Sequence, residues 1–145
     1  GYWNRPEETA AALKDGWMHS GDAGYMDAAG FVYITDRFKD MIVTGGENVY
    51  SIEVESVVSA HPAVLECAVI GVPDDKWGER VHAVAQLQPG AQLDSEGLIA
   101  FCRDRLAGYK IPRSLELYHG PLPRSAAGKV RKAVLREPHW VAAKR

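Results

Sequence analysis

The sequence predicts a small α+β domain whose sheet is mostly antiparallel. Three observations carry that expectation. Strand-like and helix-like segments alternate along the 145 residues. The linkers after Gly71 look too short for parallel crossovers. Residues 64–72 form a run that is apolar apart from Glu66, of the kind a buried strand needs. The expected frame is a three-stranded sheet flanked by helices, with a separate N-terminal β-hairpin.

Taken in order, Pro6 followed by Glu7 and Glu8 marks a helix start. Proline suits the first turn, and acids suit the positive end of the helix dipole. That helix should stop near Gly16. Residues 23–26 and 31–37 read as a hairpin joined by Asp27-Ala28-Ala29-Gly30, whose glycine can take a positive φ. Residues 41–44 form a short strand running into Gly45-Gly46. Ser51 is placed to cap a helix reaching about Ser59, with Val54, Val57 and Val58 on one face and His61-Pro62 as its stop. After the apolar run, Pro73-Asp74-Asp75 has turn chemistry, and residues 81–87 make the next strand. Asp94 caps a helix burying Leu98, Phe101, Cys102 and Leu106, and residues 115–118 are the last strand. Residues 120–128 contain two prolines and two glycines, so they form a loop. It feeds a short helix with Val130, Ala133 and Val134 on one face.

Composition narrows the function. With 46% hydrophobic and 25% charged residues, the chain is neither disordered nor fibrous. The net charge of −2 is uneven: from Arg124 onward seven Lys/Arg stand against one Glu, giving +6, so the rest carries −8. A weakly acidic body with one basic tail is a poor nucleic-acid binder, and no nucleic-acid partner is expected. Cys67 and Cys102, with no Cys-x-x-Cys, read as unpaired core thiols of a reducing compartment. No apolar stretch reaches the roughly 18–20 residues that span a bilayer. No transmembrane segment is therefore expected, and with no Ser-Lys-Leu ending, a cytoplasmic location is. The opening Gly1-Tyr2-Trp3-Asn4, without an initiator Met, predicts a fragment.

His19, His61, His82, His119 and His139 are scattered, without helical pairing or a neighbouring cysteine, so no metal site is expected. Glu53 and Glu55 diverge on a helix, which argues against a catalytic carboxylate pair. Gly128-Lys129 invites a P-loop reading that fails, because Pro123 and Val130 stand where that motif needs Gly and Ser/Thr. Two readings of Lys129 remain: a mobile cation for oxygens that gain charge in a transition state, or a solvated surface lysine. Asp22, after Gly21, either accepts from vicinal ribose hydroxyls or closes its own turn. Arg37, between Asp36 and Asp40, either reaches a nucleotide or is half of a surface ion pair. Gly45-Gly46 either admits a close ligand or is only a tight loop. Trp77 either stacks an adenine or covers the core.

The ordered phrases GYWNRPEET (1–9), GWMHSGD (16–22), GFVYITDRFKD (30–40), TGGENVYSIEVE (44–55), AVIGVPDDKWGE (68–79) and PLPRSAAGKVRKAVLR (121–136) change the balance. The series resembles the C-terminal third of an adenylate-forming enzyme of the acyl-CoA synthetase, adenylation-domain and luciferase superfamily, over nearly the whole chain. The resemblance implies two steps: a carboxylate attacks the α-phosphorus of ATP, then a thiol displaces AMP from the acyl-adenylate. It implies that Lys129 is the adenylation lysine, that Asp22 and Arg37 bind the nucleotide, and that Lys39 is a hinge. Gly45 and Gly46 would line a pantetheine tunnel, with Trp77, Tyr109 and Lys110 facing the CoA nucleotide. ATP, CoA and Mg2+ are the implied cofactors, the last bound mainly by a large N-terminal lobe.

Residues 1–38 would end that lobe, and residues 39–145 would form the mobile C-terminal domain. The acyl pocket and phosphate loop belong to the lobe, so this chain alone should be inactive. Thr44-Gly45-Gly46-Glu47-Asn48-Val49 resembles fatty-acyl, aryl and coumarate-type CoA ligases; Ser20 departs from a commoner Thr. The expected substrates are a carboxylic acid, ATP and CoA. The alternatives are an enzyme that loads a carrier-protein phosphopantetheine and a non-catalytic module that binds through its basic tail.

Overall fold

The structure, a computed structural model, describes residues 1–143. The chain divides into two units, Gly1–Lys39 and Asp40–Arg145. The first contains α1 (Pro6–Ala12), β1 (Leu13–Lys14), β2 (Trp17–Met18), β3 (Asp22–Met26) and β4 (Val32–Arg37). Helix α1 ends four residues before Gly16. Asp15 (φ 53°) and Gly16 (φ 80°) both take left-handed backbone and join β1 to β2, because a two-residue turn of that hand matches the twist of its strands. Strands β3 and β4 pair antiparallel as the sequence suggests. Their turn is closed by the Asp27 carboxylate, which accepts the N–H groups of Ala29 and Phe31 at 2.9 Å each. A single 3-10 turn, Phe38–Asp40, holds the division between the units.

The second unit contains β5 (Ile42–Thr44), β6 (Glu47–Val49), α2 (Ser51–Ser59), β7 (Val64–Asp74), β8 (Gly78–Leu87), α3 (Ser95–Cys102), β9 (Ser114–Leu117) and α4 (Lys132–Ala143). The α+β class and mostly antiparallel sheet are as expected, but the sheet has five strands rather than three. The β5–β6 hairpin joins it through the one pair Thr44↔Gly78, too short a contact to leave a pattern in the sequence. Strand β9 runs parallel to β8. Its connection contains α3, which makes that one linker long enough for a crossover.

The β7–β8 hairpin is the axis of the core. Val69, Val81, Ala83 and Ala85 pack with Val54 and Val58 of α2 and Leu98 and Cys102 of α3. On the opposite face Ala68, Ile70, Val72 and Val84 pack with Leu122 and Leu135. Burial on both faces explains why residues 68–72 carry no polar alternation. Asp94 caps α3 as expected, accepting from the Gly97 N–H at 2.8 Å. Ser51 does not cap α2. Tyr50 holds that position without a side-chain bond, while the buried Ser51 hydroxyl accepts from Lys132 Nζ at 2.6 Å. No helix among the described residues is long and apolar enough to cross a membrane.

Candidate functional site

Lys129 sits exposed at the end of a loop whose base is fixed. Arg124 and Val130 form an isolated antiparallel bridge. Inside it the Ser125 N–H donates to the Lys129 carbonyl at 2.8 Å, and the Gly128 N–H donates to the Ser125 carbonyl at 2.9 Å. Gly128 has φ 78°, backbone that suits glycine and lets the chain reverse just before the lysine.

Two ion pairs tether this loop to the sheet side of the unit. Arg124 donates to Glu66 of β7 and to the Gly128 carbonyl. Lys132, the first residue of α4, pairs with Glu55 of α2 at 2.7 Å, and Glu55 also accepts the Val69 N–H at 2.8 Å. The Lys132–Glu55 pair is largely buried, so its removal would strand a charge. Further along α4, Arg136 donates to Glu79 at 2.5 Å, and the other Glu79 oxygen accepts the Val43 N–H at 3.0 Å. Gly71 makes room for that carboxylate: a Cβ there would lie 2.5 Å from Glu79 Oε2.

Gly45 and Gly46 form the two-residue turn of the β5–β6 hairpin, with φ 61° and 85°, and both need left-handed backbone. Trp77 covers one side of this turn. Gly45 donates to the Trp77 carbonyl at 2.9 Å, and a Cβ on Gly45 would meet the indole at 2.6 Å. Gly46 faces open space, with nothing within 4 Å of where a Cβ would stand. The Trp77 ring carries two cations, Lys76 Nζ at 4.6 Å and Arg113 Cζ at 5.6 Å from its centroid.

The other positions named from sequence are distributed. Asp22 and Arg37 are cross-strand partners in the first unit, with Arg37 Nε 3.5 Å from Asp22 Oδ1. Lys39 lies exposed in the 3-10 turn. Tyr109 and Lys110 lie in a 3-10 turn before β9. Lys110 is engaged by Glu53 at 2.7 Å, a hydrogen-bonded pair that raises the lysine pKa. Its charge is therefore already compensated, and the cations beside Trp77 are instead Lys76 and Arg113, neither of which the sequence singles out.

Cys67 and His82 also have displaced protonation. Burial pushes the Cys67 thiol up to about 12, with the neighbouring Glu55 charge adding to the effect. Burial pushes His82 down to about 4, helped by His139. These histidines looked scattered in the sequence, yet the sheet and α4 bring them together around Glu116.

The second unit thus presents Lys129 exposed on a doubly tethered loop and, separately, a glycine turn against a cation-flanked tryptophan. The chain belongs to the family of AMP-binding enzyme C-terminal domains, whose model matches residues 53–129. It is 49% identical over 136 residues to a feruloyl-CoA synthase from Amycolatopsis sp, covering 94% of this chain and 28% of that protein. It is 52% identical over 138 residues to a long-chain-fatty-acid–CoA ligase from Bacillus subtilis (strain 168), covering 94% and 24%. Among solved structures, o-succinylbenzoate CoA synthetase from Bacillus subtilis in complex with its acyl-adenylate intermediate matches with a TM-score of 0.84 at 42% identity, covering 92% of this chain and 27% of that one. The chain spans about a quarter of the length of these relatives.

Proposed function

We propose that this chain is the lysine-bearing C-terminal part of an AMP-forming carboxylic acid–CoA ligase. The observation that carries the reading is the frame around Lys129, in a chain whose relatives over 94% of its length are named for joining acids to CoA. Carboxylate and ATP are both anionic, so attack on the α-phosphorus needs positive charge that counts most in the transition state. The tethers at Arg124 and Lys132 hold the loop base, while the exposed ammonium of Lys129 is left to reach the acid's carboxylate and the α-phosphate. Pyrophosphate leaves, and the acyl-adenylate remains.

In the second step the CoA thiolate attacks the acyl carbonyl and AMP leaves. Gly46, with open space at its Cα, suits the close passage of a pantetheine arm. Trp77 with Lys76 and Arg113 offers a stacking face and two cations for the CoA nucleotide. Asp22 accepts from the ribose hydroxyls, with Arg37 beside it. Lys39, at the division between the units, is the hinge about which the second unit alternates between the two steps. Residues 1–38 belong to the large lobe and residues 39–145 to the mobile domain. ATP and CoA are the proposed substrates, and Mg2+ accompanies the phosphates, held by the lobe rather than by these residues.

The test is pyrophosphate release by the full-length protein over aryl, medium-chain and long-chain acids, with and without CoA. Release with one acid class, speeded by CoA as thioester forms, is expected. Release that ignores CoA but loads a phosphopantetheinyl carrier protein moves the acceptor to that carrier. No release with any acid overturns the reading.

A further inference from the structure

We propose that His82, Glu116 and His139 form a binding site for a divalent transition-metal ion of the zinc class, which fastens α4 to the sheet. The residues come from β8, β9 and α4, and their ligand atoms all lie within 4.8 Å of one another. Glu116 Oε2 stands 3.7 Å from His82 Nε2 and 3.4 Å from His139 Nε2. A tetrahedral ion with bonds of about 2.0–2.1 Å holds its ligand atoms roughly 3.3 Å apart, so these two separations are already close to what it needs. His139 closes the third side, on a helix whose side chain there is still 29% exposed. Two imidazoles and a carboxylate, with water in the fourth position, are a suitable donor set for zinc.

The independent observation is His82 itself. It is only 5% exposed, and its Nε2 is buried without a hydrogen-bond partner among the described residues. That nitrogen stands 3.7 Å from Glu116 Oε2, and an unpaired buried polar atom of this kind calls for an explanation. On the far side of the ring Nδ1 lies 2.7 Å from Ser114 Oγ. In the metal-bound form Nδ1–H donates to that hydroxyl, which leaves the Nε2 lone pair for the ion and fixes the ring's direction. Arg80, two residues along β8, pairs with Asp74 at 3.8 Å, which offsets its charge near the site. The ion would tie the C-terminal half of α4 to β8 and β9, as Lys132 and Glu55 tie its first turn to α2.

The test is a titration of the chelator-treated full-length protein with Zn2+ by calorimetry and with Co2+ by visible absorption. One equivalent should bind, and Co2+ should show the intense bands of a four-coordinate site. His139→Ala and Glu116→Gln should each weaken binding by at least about 10-fold, and Ser114→Ala by about 10-fold, because the His82 ring loses the hydroxyl that fixes its direction. Both ligand variants change partly exposed side chains, so far-ultraviolet circular dichroism should show them folded. His82→Ala, at a buried position, is not needed to decide the question. No uptake overturns the proposal, as does uptake of undiminished affinity in both ligand variants, which would mean an adventitious ion only. The readout is binding, so it stands apart from the ligase reading.

Discussion

The two units bury their apolar residues in opposite ways. Asp40–Arg145 wraps α2 and α3 on one face of the β7–β8 hairpin and Leu122 and Leu135 on the other. Gly1–Lys39 has Ala23 as its one buried apolar side chain among the described residues, while Met26, Phe31, Val32 and Ile34 are each more than three-fifths exposed. Hydrogen bonding does not separate them, since both contain well-paired hairpins. An isolated hairpin is marginal in water, and stability comes from a covered face. The second unit has the covered faces of a domain by this standard, while the first leaves most of its large apolar side chains uncovered, which supports the proposal that it ends a larger lobe.

That contrast can be broken most visibly by separating the units. A chain of residues 40–145 should unfold cooperatively with a near-native circular dichroism spectrum, whereas a peptide of residues 1–39 should show none of its hairpin signal. A structured peptide, or a molten second unit, would dissolve the distinction. Single substitutions sharpen it. Leu98→Ala, at a fully buried site, should cost about 2–5 kcal/mol in denaturant unfolding. Ile34→Ala, on the exposed face of the first unit, should stay within about 0.5 kcal/mol in the same assay.

Within the second unit the tethers come next in size. Lys132→Met leaves the largely buried Glu55 charge unpaired and should cost about 1–3 kcal/mol. Glu55→Gln combined with it should recover part of that loss, and a double-mutant cycle measures the coupling. Gly46→Ala has room but needs φ 85°, so it should cost about 1 kcal/mol through backbone strain. Gly45→Ala, which would also collide with Trp77 at 2.6 Å, should cost more. The smallest effect concerns Cys67. Its thiol is held up to about 12 by burial, so at pH 8 a thiol reagent should leave it unmodified in the native state and label it rapidly once the protein is unfolded.

Much of this was legible because it is local. The run at residues 64–72, the Asp94 cap and the glycine pair at 45–46 each announce themselves by period or by one residue's backbone preference. The Asp15-Gly16 turn was equally local, but the helical signal from Pro6 onward masked it. What escaped the sequence is tertiary. Glu55 with Lys132, Glu66 with Arg124 and Glu79 with Arg136 join residues too far apart for any spacing rule. The same is true of His82, Glu116 and His139, because helical spacing reports on one element while this cluster is built across three. Lys129 stands out in the sequence as a lysine after a glycine-bearing loop, and the resemblance gives it a role; its tethers are visible only in the fold.

The most direct measurement separates the two half-reactions in full-length Lys129→Ala. Pyrophosphate release from acid and ATP is one readout, and thioester formation from a supplied acyl-adenylate and CoA is the other. Loss of a charge used only in the first transition state should slow adenylation by about 10²–10³ and leave thioester formation close to that of the unaltered enzyme. Equal loss in both would contradict the role given to Lys129 and, with it, the division of labour between the lysine loop and the glycine turn.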